Sequence, residues 1–93
     1  MKPRLNRTVY TVYRDNITKT QVAYLGKESF IIEHFNRGYD YGYEYFYDEY
    51  KLDWFTSLSE AKKSVMKSLD EDERKQVVWK KWKDDYWELV YKQ

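Results

Sequence analysis

The chain has 93 residues, no cysteine and a formal net charge of +1. That length supports one domain built around one core, and the missing cysteine excludes disulfides and thiolate metal sites and fits a cytoplasmic protein. The near-neutral balance excludes both a dedicated polycation for nucleic acid and a strongly acidic mimic of it.

Residues 1–7 are basic, with no apolar run behind them, so no signal peptide is expected. No later segment approaches the length of a transmembrane helix, and no membrane partner is expected. Residues 8–14, rich in β-branched and aromatic side chains, predict a first strand. Asp15-Asn16 suits a tight turn. Residues 17–25 predict the return strand, with a short helix ending at Gly26 as the rival reading. Residues 30–35 predict a third strand, and Asn36-Arg37-Gly38 a hairpin loop.

A tyrosine at every odd position from Tyr39 to Tyr47 comes next. Alternate residues of a strand share a face, so this pattern predicts a strand with a phenol face. Asp40, Gly42, Glu44, Phe46 and Asp48 fall on the opposite face. A strand running from 39 to 54 would span roughly 50 Å, too long for so small a domain. Gly42 is the expected bend, and the regular strand is placed at 43–50.

Ser57 and Glu60 have the spacing of a capping box. Leu58, Ala61, Val65 and Leu69 lie at helical spacing and predict a first amphipathic helix. Asp70 to Glu73 form a second capping signal. Val78, Trp82, Tyr86 and Leu89 or Val90 keep a spacing of three to four, which predicts a second helix over 71–85. Residues 86–91 are read as its continuation, with a final strand as the alternative. The expected fold is α+β: a four-stranded antiparallel β-meander followed by two C-terminal helices packed on one face, in a single domain over residues 1–93.

The functional reading starts from the tyrosines. Their rings either form core under the helices or present a binding surface. Each ring buries on the order of 150–250 Å², and five are more than one helix layer easily covers. Tyr and Trp suit protein interfaces because they combine large contact area with few rotors and a polar tip. Residues 38–60 hold six acids against one lysine, and that charge opposes a base-stacking role. The candidate partner-binding residues are therefore Tyr39, Asp40, Tyr41, Tyr43 and Glu44, with Tyr45, Tyr47, Asp48 and Trp54.

Elsewhere the chemistry is sparse. His34 is the single histidine and has no companions for catalysis or metal binding. No phosphate loop or nucleophile motif is present, and neither catalytic residues nor cofactors are expected. The segment from Trp79 to Trp87 mixes lysines with aromatics, but Asp84, Asp85 and Glu88 dilute its basic character. The sequence reads as a small non-enzymatic protein-interaction module, an inhibitor or adaptor of the kind carried by phages and mobile elements. The alternative is a nucleic-acid-binding module using Arg4, Arg7 and Arg14 with the C-terminal Lys and Trp residues. A homodimer, if formed, is expected to use the first strand or the tyrosine face.

Overall fold

The computed structural model describes residues 1–33 and 43–92. Its strands are β1 (Thr8–Tyr13), β2 (Asn16–Leu25), β3 (Ser29–Ile32), β4 (Glu44–Phe46), β5 (Trp54–Phe55), β6 (Val77–Trp82) and β7 (Tyr86–Tyr91). Two helices, α1 (Leu58–Lys67) and α2 (Glu71–Gln76), lie between β5 and β6, and a 3-10 turn covers Tyr47–Glu49. The strands run in the order β4-β3-β2-β1-β5, with β7 also paired to β2 and β6 paired to β7. Every strand pairing is antiparallel.

The β1–β2 ribbon is the centre of this arrangement. Val9 and Thr11 point to one face of β1, and Tyr10 and Val12 to the other, as the two-residue period requires. The register sets Val9 beside Thr20 and Val12 beside Ile17. On its other side β1 pairs with β5, which sets Trp54 beside Thr11 and Phe55 beside Tyr10. Each face of the ribbon therefore receives its own large aromatic. One core cluster contains Val9, Val22, Phe30, Ile32 and Trp54. The other contains Ile17, Phe55, Ala61, Val65 and Trp87. Trp54 is wholly buried, and removing a ring of that size from water contributes at most about 5 kcal/mol.

Strand β2 serves both cores because its pairing partner changes along its length. Its first residues, Asn16 to Thr18, pair with β7, and its last, Val22 to Leu25, pair with β3. The register slips between Val22 and Tyr24, the signature of a bulge at Ala23. A bulge bends its strand and reverses the facing of the residues beyond it. Val22 is buried, yet Tyr24, two residues on, is exposed and Leu25 turns inward. The bend turns β3 and β4 back over the first core. The Thr20 hydroxyl donates to the Glu33 carbonyl at 2.9 Å, which satisfies a buried polar group at this junction.

The structure corrects the expected fold class. The described residues are mainly β, with seven strands and one helix longer than two turns among them, not a four-stranded meander carrying two helices. The first helix starts after Ser57 as expected and buries Ala61 and Val65, but it ends at Lys67, before the last stripe position, Leu69. Ser57 caps it, accepting from the Glu60 N–H at 3.4 Å. Asp70 caps α2, accepting from the Glu73 N–H at 2.8 Å, but α2 ends at Gln76. Residues 77–91 form a hairpin instead of the expected helix, so the strand alternative for 86–91 is the observed one. Positions 78, 82, 86 and 90 are all even, so their four-residue spacing fits one face of a strand as well as a helix stripe. Val77, Val78 and the aromatics around them prefer the pleated conformation. The first strand is not an edge, because β2 and β5 occupy its two sides.

Three stability measurements check this packing. Val65 is 4% exposed, so Val65→Asp should lower stability in urea melts by at least about 3 kcal/mol through an unpaired buried charge. Ser57→Ala should cost only about 0.5–1 kcal/mol, through the lost cap. Trp87 fastens β7 onto the second core, and Trp87→Ala should cost about 3–5 kcal/mol.

Candidate functional site

The segment from Tyr43 to Trp54 carries the candidate surface, and its inward side explains why it holds its shape. Phe30, fully buried, is the hub. The rings of Tyr45 and Tyr47 stack on it, each with a centroid separation of 6.0 Å. Trp54 meets it edge-on at 4.9 Å, and Tyr50 packs on Trp54 at 4.7 Å. Such tilted and offset pairs add about 0.5–1.5 kcal/mol each beyond their buried area.

Hydrogen bonds fix the same segment at its polar tips. The Tyr47 hydroxyl donates to the Gly26 carbonyl at 2.6 Å. The Trp54 indole N–H donates to the Phe46 carbonyl at 2.9 Å. The Phe46 N–H donates to the Glu49 carboxylate at 2.7 Å. Both main-chain groups of Phe46 are thus satisfied from within the segment. This shields the outer side of β4 from pairing with another strand. The Ser29 hydroxyl donates to Glu44 across the sheet at 2.5 Å.

The period-two pattern is realised in part. Tyr45 and Tyr47 turn to the core and Tyr43 is exposed. Burial pushes the Tyr45 phenol above its ordinary range, against the lowering effect of its hydrogen bond with Thr11, with Asp53, Glu49 and Tyr43 adding to the rise. Trp54, expected in the partner-binding set, is a core residue at 0% exposure and offers nothing to a partner directly. Glu44 and Asp48 are exposed, as is Phe46. Phe46 was legible in the sequence, since it shares the even positions with the acids. The regular strand ends at Phe46, short of the expected 43–50, because the 3-10 turn begins at Tyr47. Tyr39, Asp40 and Tyr41 lie outside the described residues, as do His34, the Asn36-Arg37-Gly38 loop and the bend assigned to Gly42.

The described surface of this segment combines Tyr43 at 64% exposure, Phe46 at 45% and Leu52 at 69% with the acids Glu44, Asp48, Glu49 and Asp53. Apart from Lys51, whose ammonium sits 5.6 Å from the Tyr50 ring centroid, residues 43–53 hold no base. The surface is apolar and anionic together.

Among the basic residues proposed for nucleic acid, Arg4 and Arg7 meet in one turn, where the Arg7 N–H donates to the Arg4 carbonyl at 3.2 Å. Arg7 and Arg14 bracket β1, roughly 20 Å apart along the strand. Arg14 lies over the exposed Tyr13 ring. The C-terminal lysines sit on aromatic rings, Lys80 over Trp82 at 3.9 Å and Lys81 over Trp87 at 5.8 Å. The cation over Trp79 is Lys62 from α1, not the Lys83 that helical spacing would supply. No group of described residues has the makeup of a metal site. No helix among the described residues is long and apolar enough to cross a membrane. Comparison with protein-family models, curated proteins and solved structures finds no match for this chain.

The two neighbouring acids set a pH dependence. Hydrogen bonding to Asp53 holds the Glu49 carboxyl above its ordinary range, opposed by the bond from the Phe46 N–H, with desolvation and the Asp53 charge adding to the rise. The folded chain therefore binds this proton more tightly than the unfolded chain. Stability falls as pH rises from the ordinary glutamate value through the raised one, and the deficit persists at neutral pH. Asp53→Asn should raise the thermal midpoint at neutral pH. The gain should vanish below about pH 4, where Glu49 is protonated in both states. A gain that is equal at both pH values would show that the two carboxylates do not interact.

Proposed function

We propose that the protein is a non-enzymatic protein-interaction module, an inhibitor or adaptor. It engages its partner through the apolar and acidic surface of residues 43–53, and Tyr39, Asp40 and Tyr41 belong to the same proposed contact set. The observation that carries this reading is the exposure of Phe46, held between Glu44 and Asp48 on a segment whose Tyr45, Tyr47 and Tyr50 pack against the core. An apolar ring on a rigid base loses little conformational entropy when it docks. The carboxylates around it steer a basic partner and suppress acidic ones. The partner chemistry that fits is a protein face with an apolar pocket rimmed by Lys or Arg. The cysteine-free composition supports a cytoplasmic setting, and the small size and character suit a phage or mobile-element accessory protein.

The test is affinity capture from the native host with quantitative mass spectrometry, comparing wild type with Phe46→Ser and Glu44→Lys. Both positions are exposed, so both variants should keep the wild-type thermal midpoint to within a few degrees. A partner captured by wild type should be depleted at least about tenfold by either variant, and its association should slow as salt rises. Capture that is indifferent to both substitutions would contradict the proposed surface.

A further inference from the structure

Strand β6 leaves one edge of the sheet open, in a part of the molecule remote in sequence from the surface above. Its pairing with β7 runs from Val77 beside Tyr91 to Trp82 beside Tyr86. The Lys92 N–H donates to the Gln76 carbonyl at 2.7 Å, which places pair 76–92 in hydrogen-bonded phase. Main-chain bonding alternates along an antiparallel ladder. Val78, Lys80 and Trp82 therefore direct their N–H and C=O groups to β7. Val77, Trp79 and Lys81 direct theirs outward, where no strand among the described residues pairs with them. At Phe46 the edge of β4 is closed from within by Glu49 and Trp54; no such bond among the described residues closes β6.

Charge defines what this edge accepts. Residues 74–83 contain Arg74, Lys75, Lys80, Lys81 and Lys83 and no acid. Acids flank this run at Glu71, Asp72 and Glu73 and at Asp84 and Asp85; along the strand itself Glu88 lies across the ladder from Lys80, and Asp84 lies 3.8 Å from Lys81 in an exposed pair worth little. The two faces of β6 also differ. Val78, Lys80 and Trp82 are exposed, whereas Val77 and Trp79 are half-buried and Trp79 packs on the second core.

We infer that β6 is a docking edge for an extended acidic segment of another protein, added as an eighth strand. The added strand would alternate apolar residues, continuing the core-side face beyond Trp79, with carboxylates on the open face beside Lys80. Main-chain bonds to Val77, Trp79 and Lys81 would supply affinity, and the lysines would supply sign selectivity. A second copy of this chain fits poorly, because it would set one basic strand against another. Single-stranded nucleic acid fits poorly too. It has no strand backbone to answer alternating donors and acceptors, and the rings it would stack on are engaged. Lys80 covers Trp82, whose indole N–H donates to Glu88 at 3.3 Å, and Lys62 lies over Trp79.

The experiment titrates the whole protein with a labelled synthetic peptide alternating Val and Glu, about six residues long to match β6, and follows amide exchange by NMR. Its controls are the Val/Gln counterpart and an oligothymidylate of equal charge. The Val/Glu peptide should bind at least about tenfold more tightly than either control. Exchange at Val77, Trp79 and Lys81 should slow on binding, with little change at Val78, Lys80 and Trp82. Lys81→Pro removes one outward N–H at a position where an edge strand tolerates proline, and it should weaken binding more than Lys81→Gln. The double variant Lys80→Glu, Lys81→Glu should prefer a Val/Lys peptide. Equal binding of the Val/Gln peptide, preference for the oligothymidylate, or exchange unchanged in the bound state would each overturn the inference. So would dimerisation of the free protein that protects the same three amides.

Discussion

A two-stranded ribbon that is apolar on both faces must be covered twice, and this requirement organises the molecule. Val9 and Val22 demand cover on one side, and Val12 and Ile17 on the other. No single layer can meet both demands. The chain meets the first by bending β2 at its bulge and folding β3, β4 and the aromatic segment back over that face. It meets the second with α1 and the C-terminal hairpin. The short strand β5 joins the two solutions, since its consecutive residues Trp54 and Phe55 enter opposite cores. Residues 8–14 accordingly lack the apolar–polar alternation of a half-solvated strand, with Val9, Tyr10 and Val12 divided between the two faces and Arg14 alone charged.

The same requirement sets the character of the surface. Tyr45, Tyr47 and Tyr50 spend their rings on covering the first core and their hydroxyls on local polar partners, through the Thr11, Gly26 and Thr56 bonds. What remains outward is Phe46 with Tyr43, Leu52 and the acidic neighbours, on a base with little freedom left to lose. Packing and presentation are therefore one feature: the rings that build the core are those that stiffen the surface. The Glu49–Asp53 contact is the part of this base that costs stability at neutral pH. Glu49 also accepts the Phe46 N–H and so closes the edge of β4.

Much of this was legible in the sequence where one signal dominated. The β1–β2 hairpin followed from β-branched runs around a turn, although Arg14, not Asp15 or Asn16, takes the left-handed conformation, with φ of 57°. The first helix followed from Ser57 and its apolar stripe. The C-terminal hairpin reads as helix in the sequence because apolar residues four apart satisfy both periods, and a capping signal at Asp70 tips the choice towards a long helix. That cap is real but governs six residues only. The tyrosine run showed its alternation plainly. Its division into core and surface was hidden, because it depends on the distant Phe30 and on a 3-10 turn that ends the strand at Phe46. The burial of Trp54 was hidden for the same reason: it depends on pairing with β1 across some forty residues of chain.

One face of the ribbon is covered by strands and the other by α1 with the C-terminal hairpin, and residues 77–91 form that hairpin with one open edge. Amide hydrogen exchange of the free protein, resolved residue by residue along β6, tests it most directly. The expected result is a two-residue alternation, with slow exchange at Val78, Lys80 and Trp82 and fast exchange at Val77, Trp79 and Lys81. Unbroken protection across 77–82, as a helix would give, would contradict it.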